Sequence, residues 1–366
     1  MANMLDYIEW RGDITFKQST FNEVDNIIMS QIAYVDLKGI VPGISERGFI
    51  TLAEAAEKYF KLHDEESLKQ VKSFIWQAPF LMRAAARSER FKDVRLGRYR
   101  WVYDEKRQTQ FAAFTADMGD GTVYVAYMGT DDTIVGWKED FNMSFLQPVP
   151  AQTEAVAYLN ETGRHMRKKI RIGGHSKGGN LAIYSGIYAS DGVKKKIINI
   201  YNNDGPGFDK GIINSREYMQ MKPLMTSIVP YHSIVGMLLE HDDDYIVVAS
   251  DEKGIMQHDA MSWQVKGTKL VTRKDLSSAS KAMNETLSNW INSIDRAERE
   301  EFVDALFEII SASGAVTLSE IQADRFTSAG AAIRMYASMP KKQKLMIRKI
   351  LLSLSGEFDK AVKKRR

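Results

Sequence analysis

The chain has 366 residues, 44% of them hydrophobic and 27% charged, and it has no cysteine. This composition supports a sizeable buried core in one large domain or two modest ones, and it excludes disulfides, thiolate nucleophiles and cysteine zinc sites. The formal net charge of +3 is unevenly spread: ten Lys and Arg against Glu357 and Asp359 put +8 on residues 341–366, which leaves −5 on the remainder and excludes a nucleic-acid-binding body. The absence of cysteine fits a reducing compartment. Residues 1–7 show no basic region leading into a long apolar stretch, and no run of about 18 apolar residues occurs. The expectation is a cytoplasmic protein with no signal peptide and no membrane span.

The first hundred residues read mostly as helices. Over Phe21–Leu37, Val24, Ile27, Ile28, Ile32 and Val35 recur at helical spacing, and Leu52–Leu62, Leu68–Ile75 and Phe80–Arg90 look similar. The character changes near Tyr99. Gln110–Asp117 and Thr122–Met128 are aromatic- and Val-rich, and the Asp-Gly step in Met118-Gly119-Asp120-Gly121 between them predicts a β-hairpin. A helix over Gln152–Arg167 precedes the apolar run Ile170–Gly173. Further strands are predicted at Lys196–Tyr201, Thr226–Pro230 and Tyr245–Ala249, and after Trp263–Lys266 the chain turns helical again. Alternating strands and helices define an α/β class with a mostly parallel sheet and an antiparallel hairpin at its start. The predicted organisation is an N-terminal helical segment over 1–100, an α/β core over 101–270 and a C-terminal helical segment over 271–366. There is no fixed-period repeat and no low-complexity linker.

Gly174-His175-Ser176-Lys177-Gly178 sits between the apolar run and the small-residue helix pattern Gly179–Tyr184. Strand, sharp turn, helix is the context that makes GxSxG a nucleophile elbow. Ser176 projects from a turn too tight for side chains on its neighbours, and the helix N-terminus favours negative charge. A serine nucleophile needs a base, and the base an orienting acid. His63 and His165 precede the serine, and His175 is too local. Of His232, His241 and His258, the last is the best base, in the loop Gly254–Asp259 after the final core strand. Its alternative is a surface histidine bonded to Asp259. Asp204, opening Asp204-Gly205-Pro206-Gly207-Phe208 at a carboxyl edge of the sheet, is the first candidate acid; the alternative is a turn cap. Asp242, Asp243 and Asp244 form a second group, read as a solvated loop with no second ligand set for a metal. The oxyanion donors are the Lys177 amide and, in Gly129-Thr130-Asp131-Asp132, the Thr130 amide with its hydroxyl, unless that segment is an ordinary turn cap.

Together these residues resemble the fungal-type (class 3) lipase branch of the α/β-hydrolase superfamily. That branch shows a strand ending Arg-Gly-Ser/Thr, then Trp and Asp, then Gly-His-Ser-Leu-Gly-Gly. Here stand Met128-Gly129-Thr130, Trp137, Asp140 and Gly174-His175-Ser176-Lys177-Gly178-Gly179. Asp204-Gly205-Pro206-Gly207-Phe208 is similar to its Gly-Ser-Pro-x-x-Gly, and His258 with Trp263 to its terminal histidine and aromatic. The match is closer to the bacterial Mbeg1-like proteins, along most of residues 1–266. It includes Asp6–Asp13, Phe21–Asn26, Gly174–Asn180 and Ser233–Leu239. The resemblance implies an α/β-hydrolase fold and a serine hydrolase site, and names no substrate. Two departures matter. Ser233 stands where class 3 lipases carry their acid, so either the acid has moved to Asp204 or the triad is weakened. Met128 replaces Arg, which bears on the support of the oxyanion loop. Lys177 replaces Leu or Met at a position that contributes mainly its backbone N–H.

Pro340–Leu354 reads as an amphipathic basic helix, with Leu345, Met346, Ile347, Ile350, Leu351 and Leu354 against Lys341, Lys342, Lys344, Arg348 and Lys349. It either packs on the body with a solvated basic face or makes peripheral contact with an anionic membrane surface. Lys363-Lys364-Arg365-Arg366 reads as a solvated tail. The reading is a serine hydrolase, esterase- or lipase-like, cleaving a carboxylic ester or thioester through an acyl-enzyme on Ser176. It acts on a small-molecule or lipid acyl substrate, with no cofactor, no metal and no nucleic-acid partner. An acyltransferase at the same site and a catalytically quiet α/β-hydrolase-fold binding protein stay open. Oligomeric state is not written in the sequence.

Overall fold

The structure is a computed structural model and describes residues 1–70, 75–131, 133–241, 244–312, 317, 325–350 and 352. Eight strands lie in one sheet in chain order: β1 (Ile50–Thr51), β2 (Arg95–Asp104), β3 (Thr109–Asp117), β4 (Thr122–Tyr127), β5 (Lys169–His175), β6 (Ile197–Asn203), β7 (Met225–Pro230) and β8 (Tyr245–Val248). Strands β1 to β4 pair antiparallel, and β4 to β8 pair parallel. The β3–β4 hairpin turns at the expected Asp-Gly step, with Gly119 and Gly121 at φ +76 and +87. A small hairpin, β9 (Val265–Lys266) and β10 (Lys269–Leu270), stands apart.

The segment over residues 1–100, read mostly as helices, also holds two strands that the sequence reading did not place. It contains β1 and the start of β2, so the antiparallel part has four strands instead of one hairpin. β1 is only two residues long. β2 carries Arg95, Arg98 and Arg100 and a register irregularity between Gly97 and Arg100, with Arg98 at φ +56. That irregularity breaks the period-two pattern on which strand recognition depends.

The remaining N-terminal chain is helical: α1 (Met4–Arg11), α2 (Glu23–Ile32), α3 (Leu52–Leu62), α4 (Glu65–Gln70) and α5 (Ala78–Ala86). Helix α2 starts at Glu23 because Asn22 caps it, accepting from the Val24 and Asp25 amides, and it ends at Ile32, short of the apolar pattern that runs to Leu37. The helix expected over Leu68–Ile75 runs into residues 71–74, which lie outside the described residues. Next come α6 (Ile134–Asn142), α7 (Pro150–Gly163) and α8 (Lys177–Tyr188), then the short α9 (Asp191–Lys194), α10 (Lys210–Ile213) and α11 (Arg216–Met221). The C-terminal part holds α12 (Ser278–Ser293), α13 (Arg296–Ser311), α14 (Arg325–Ser338) and α15 (341–350).

Strand alternation sorts the core into two layers. Val123, Val125 and Tyr127 of β4 pack with Ile170, Ile172 and Ile200 under α7 and α8. Tyr124, Ala126 and Met128 point the other way, toward Ile27 and Ile28 of α2, Leu81 of α5 and Trp263. A third apolar cluster joins Ile134 of α6 to Phe302, Val303 and Phe307 of α13 and to Ile347 and Ile350 of α15. The basic C-terminal helix thus puts part of its apolar face on the body, while Leu345 is 66% exposed. Leu351, Leu354 and Lys363–Arg366 lie outside the described residues. Among the described residues, no helix is long and apolar enough to cross a membrane.

Two buried polar networks lock the N-terminal helices onto this frame. Asp25 accepts from Arg90 Nε and Nη2 at 2.8 and 2.6 Å and from the Tyr7 hydroxyl at 2.9 Å. Burial raises the Asp25 carboxyl, against the pull of the Arg90 cation. Asn26 Nδ2 donates to Asn203 Oδ1 at 2.9 Å, and Asn203 Nδ2 reaches Ser30 Oγ and the Gly174 carbonyl, both at 2.9 Å. Helix α2 is therefore bonded directly to β6, the strand that precedes Asp204, and through Asn203 to β5, the strand that precedes Ser176. Removing one partner of a buried pair leaves an uncompensated charge. Asp25→Ala should accordingly lower unfolding free energy by about 3–5 kcal/mol in a urea titration; an unchanged midpoint would contradict this view of the network.

Candidate active site

Strand β5 ends at His175, helix α8 begins at Lys177, and Ser176 occupies the turn between them at φ +57, ψ −133. Side-chain-bearing residues rarely adopt this backbone conformation, which stores about 1–3 kcal/mol of strain. Close approach explains the glycines on either side. A Cβ on Gly178 would lie 2.3 Å from the Tyr127 carbonyl oxygen, and one on Gly174 would lie 2.4 Å from the Gly178 carbonyl carbon. The Ser176 amide donates to the Asn203 carbonyl at 2.9 Å, which fastens the elbow to the end of β6.

The loops at the carboxyl ends of the parallel strands carry the other candidates, the usual place for a site in such a sheet. His258 Nε2 stands 3.0 Å from Ser176 Oγ, and His258 Nδ1 stands 2.6 Å from Asp204 Oδ2. A carboxylate only accepts, so the proton sits on Nδ1 and Nε2 is free to accept from the serine hydroxyl. Asp204 is fully buried. Its other oxygen, Oδ1, accepts from Ser233 Oγ at 2.5 Å and from the Gly236 amide at 3.2 Å. Ser233 therefore touches Asp204 on the side away from His258. Asp259 does not serve the ring of His258; it accepts the Met261 amide at 2.9 Å, and burial raises its carboxyl. His241 bonds the Leu239 carbonyl, His232 packs against Tyr231, and His63 stacks on Tyr59. Asp244 is exposed; Asp242 and Asp243 lie outside the described residues. Among the described residues, no group of three or more His, Asp or Glu is arranged to hold a metal.

His175 has a structural part that its sequence position hid. Its Nε2 donates to the His258 carbonyl at 2.7 Å, while its Nδ1 accepts from the Tyr34 hydroxyl at 2.9 Å. The two histidine rings lie 4.6 Å apart. Burial pushes His175 well below the ordinary imidazole value, and repulsion from His258 when that ring is protonated adds to it, which keeps His175 neutral in this role. The Trp263 indole holds the same loop by donating to the Gln257 carbonyl at 2.8 Å.

Thr130 and Lys177, the residues named for the oxyanion, both line the cavity at Ser176. The Lys177 side chain does more than its sequence position suggested. It is buried and donates to the Gln110 carbonyl at 2.9 Å, to Gln110 Oε1 at 2.5 Å and to Glu139 Oε2 at 3.1 Å. Gln110 Nε2 in turn reaches the Gly129 carbonyl at 3.4 Å and the Met128 sulfur at 3.7 Å. A cation thus supports the Gly129–Thr130 turn even though Met128 replaces arginine. The Thr130 hydroxyl donates to Asp140 Oδ2. Burial pushes the Asp140 carboxyl up to about 6, with the Lys177 charge as the main opposing influence.

The cavity has a volume of about 330 Å³. Apart from the site residues its walls are mostly apolar, including Trp137, Leu238, Ile255, Leu287, Ile294 and Phe302. Helices α12 and α13 form much of its roof. Trp137 Nε1 and Asp140 Oδ1 are buried in this wall with no partner among the described residues.

Sheet order, elbow and loop placement define an α/β-hydrolase fold. Residues 85–308 match the Mbeg1-like family, and the chain belongs to it. No curated protein matches the chain. Among solved structures, M37 lipase is similar at 16% identity, over 58% of this chain and 68% of that chain, with a TM-score of 0.31.

Lys177→Met removes the charge that opposes burial at Asp140. Carboxyl-carbon NMR should then show the Asp140 midpoint higher than in the unaltered protein. A midpoint that stays in place would mean the two groups are not coupled.

Proposed function

We propose that this protein is a serine hydrolase that cleaves a carboxylic ester or thioester through an acyl-enzyme on Ser176. The hydrogen-bonded chain from Ser176 through His258 to Asp204 is the observation that carries the reading, with distances of 3.0 and 2.6 Å. Both lie within or at the edge of the range a working base requires.

In the first half-reaction His258 Nε2 takes the Ser176 hydroxyl proton as Oγ bonds to the substrate carbonyl carbon. The carbonyl π electrons move to oxygen, where the Lys177 and Thr130 amides hold the negative charge. Collapse restores the carbonyl and breaks the bond to the leaving alcohol or thiol, which receives the proton from His258. Water then attacks the acyl-Ser176 ester, giving a proton to His258. The second collapse releases the carboxylic acid and returns the proton to Ser176 Oγ. Asp204 accepts from His258 Nδ1 throughout, fixing the tautomer and stabilising the imidazolium. Every step uses the chain's own groups and water. The mostly apolar walls beside Ser176 suit the acyl part of a small-molecule or lipid substrate. The cysteine-free composition supports a reducing, cytoplasmic setting.

A fluorophosphonate probe tests the reading. Wild type should label and Ser176→Ala should not, while His258→Ala should label about 10²–10⁴ times more slowly. Absence of labelling in the folded wild type would favour a binding protein on the same fold, and labelling that survives Ser176→Ala would place the nucleophile elsewhere.

A further inference from the structure

A second cavity, also of about 330 Å³, adjoins the one at Ser176. Met143, Ser144, Leu239, Ile291 and Arg299 line both. The two differ in chemistry. The first is walled mainly by apolar side chains, whereas the second adds Lys210, Arg296, Asp209 and Glu240.

Arg299 stands at the partition and is poorly neutralised. Its Nη1 donates to the Ser144 carbonyl, a neutral acceptor. Its Nε is buried and has no partner among the described residues. The acids nearby are engaged in other contacts. Asp295 Oδ1 accepts the Glu298 amide at 2.8 Å, Asp209 Oδ1 accepts the Ile212 amide at 2.9 Å, and Glu240 pairs with Lys210 at 3.4 Å. Arg296, one turn before Arg299 on α13, has no ion pair among the described residues. Burial pulls the Arg299 guanidinium below the ordinary arginine value, against the pull of the Asp295 charge, and Arg296 adds to the lowering. A partly desolvated cation whose hydrogen bond goes to a neutral carbonyl, with its Nε unpartnered and Asp295 as the opposing charge, is incompletely satisfied, and an anion presenting oxygens to the guanidinium fork would complete it. Arginine suits this role because its planar fork matches carboxylate and phosphate geometry.

We propose that the joined cavities bind an anionic amphiphile, with its apolar chain beside Ser176 and its phosphate or carboxylate oxygens against Arg299 and Arg296. The proposal rests on the serine hydrolase reading only where it makes this amphiphile the substrate. The substrate class is then an acyl ester that also carries an anionic group.

Binding is measured by calorimetric titration of the full chain carrying Ser176→Ala, so that no turnover intervenes. The probes are octyl phosphate, 1-octanol and inorganic phosphate. Octyl phosphate should bind at least about tenfold tighter than either of the others, and Arg299→Gln should remove about tenfold of its affinity. Arg299→Lys, which keeps the charge and loses the fork, should retain part of it. Circular dichroism checks the folding of each variant; if Arg299→Gln does not fold, the exposed Arg296→Gln decides, and it too should weaken octyl phosphate. Octyl phosphate binding no tighter than 1-octanol overturns the proposal. So does inorganic phosphate binding as tightly as octyl phosphate, which would mark a site for the free ion, and so do folded variants with unaltered affinity. Failure of fluorophosphonate labelling would count against the hydrolase reading alone, because these titrations do not depend on it.

Discussion

Helix α8 meets the sheet so closely that no side chain fits between Gly178 and the end of β4, where a Cβ would stand 2.3 Å from the Tyr127 carbonyl oxygen. That approach sets the geometry of everything above it. It forces the turn at Ser176 into a strained conformation, and it puts the first amides of α8 next to the serine. Helix N-termini leave such amides unsatisfied by the helix itself. It also carries the Lys177 side chain beneath the neighbouring turn, where it meets Gln110 and Glu139 with the ion pair wholly shielded from water. One steric constraint therefore links the candidate nucleophile, its neighbouring amide and the support of the turn that holds Thr130.

The other members of the site arrive on separate loops, and each loop is tied down from outside the immediate chemistry. Asp204 is bonded by Ser233 and Gly236. The loop of His258 is held by His175 from one side and by Trp263 from the other. His175 is itself bonded by Tyr34, which follows α2, and α2 is bonded to the sheet through Asn26 and Asn203. The N-terminal helices are thus part of the frame that positions His258. Ser233, at the position where class 3 lipases carry their acid, donates to Asp204, and Asp204 faces His258.

Much of this is legible in the amino-acid sequence. Leu52–Leu62 reads as a helix because its apolar spacing is clean, and β3 and β4 announce themselves through aromatic and β-branched residues around an Asp-Gly turn. Ser176 and Asp204 stand out because each sits at a strand end in a recognisable local pattern, and His258 because it lies in the loop after the last strand of the sheet; the structure puts His258 within hydrogen-bond reach of both. β2 was missed because three arginines and a bulge obscure its alternation. Tyr34, Gln110 and Glu139 were missed for another reason: their contacts with His175 and Lys177 span 141, 67 and 38 positions, and no local signal encodes them. Lys177 did carry a signal, a lone charge at the start of a helix of small and apolar residues. Its burial became meaningful only with Glu139 beside it.

The most direct test of the central claim is a crystal structure of the protein after reaction with a fluorophosphonate. The account predicts phosphorus bonded to Ser176 Oγ and a phosphoryl oxygen about 2.7–3.1 Å from the amides of both Lys177 and Thr130. An adduct on another residue, or an oxygen turned away from those two amides, would contradict it.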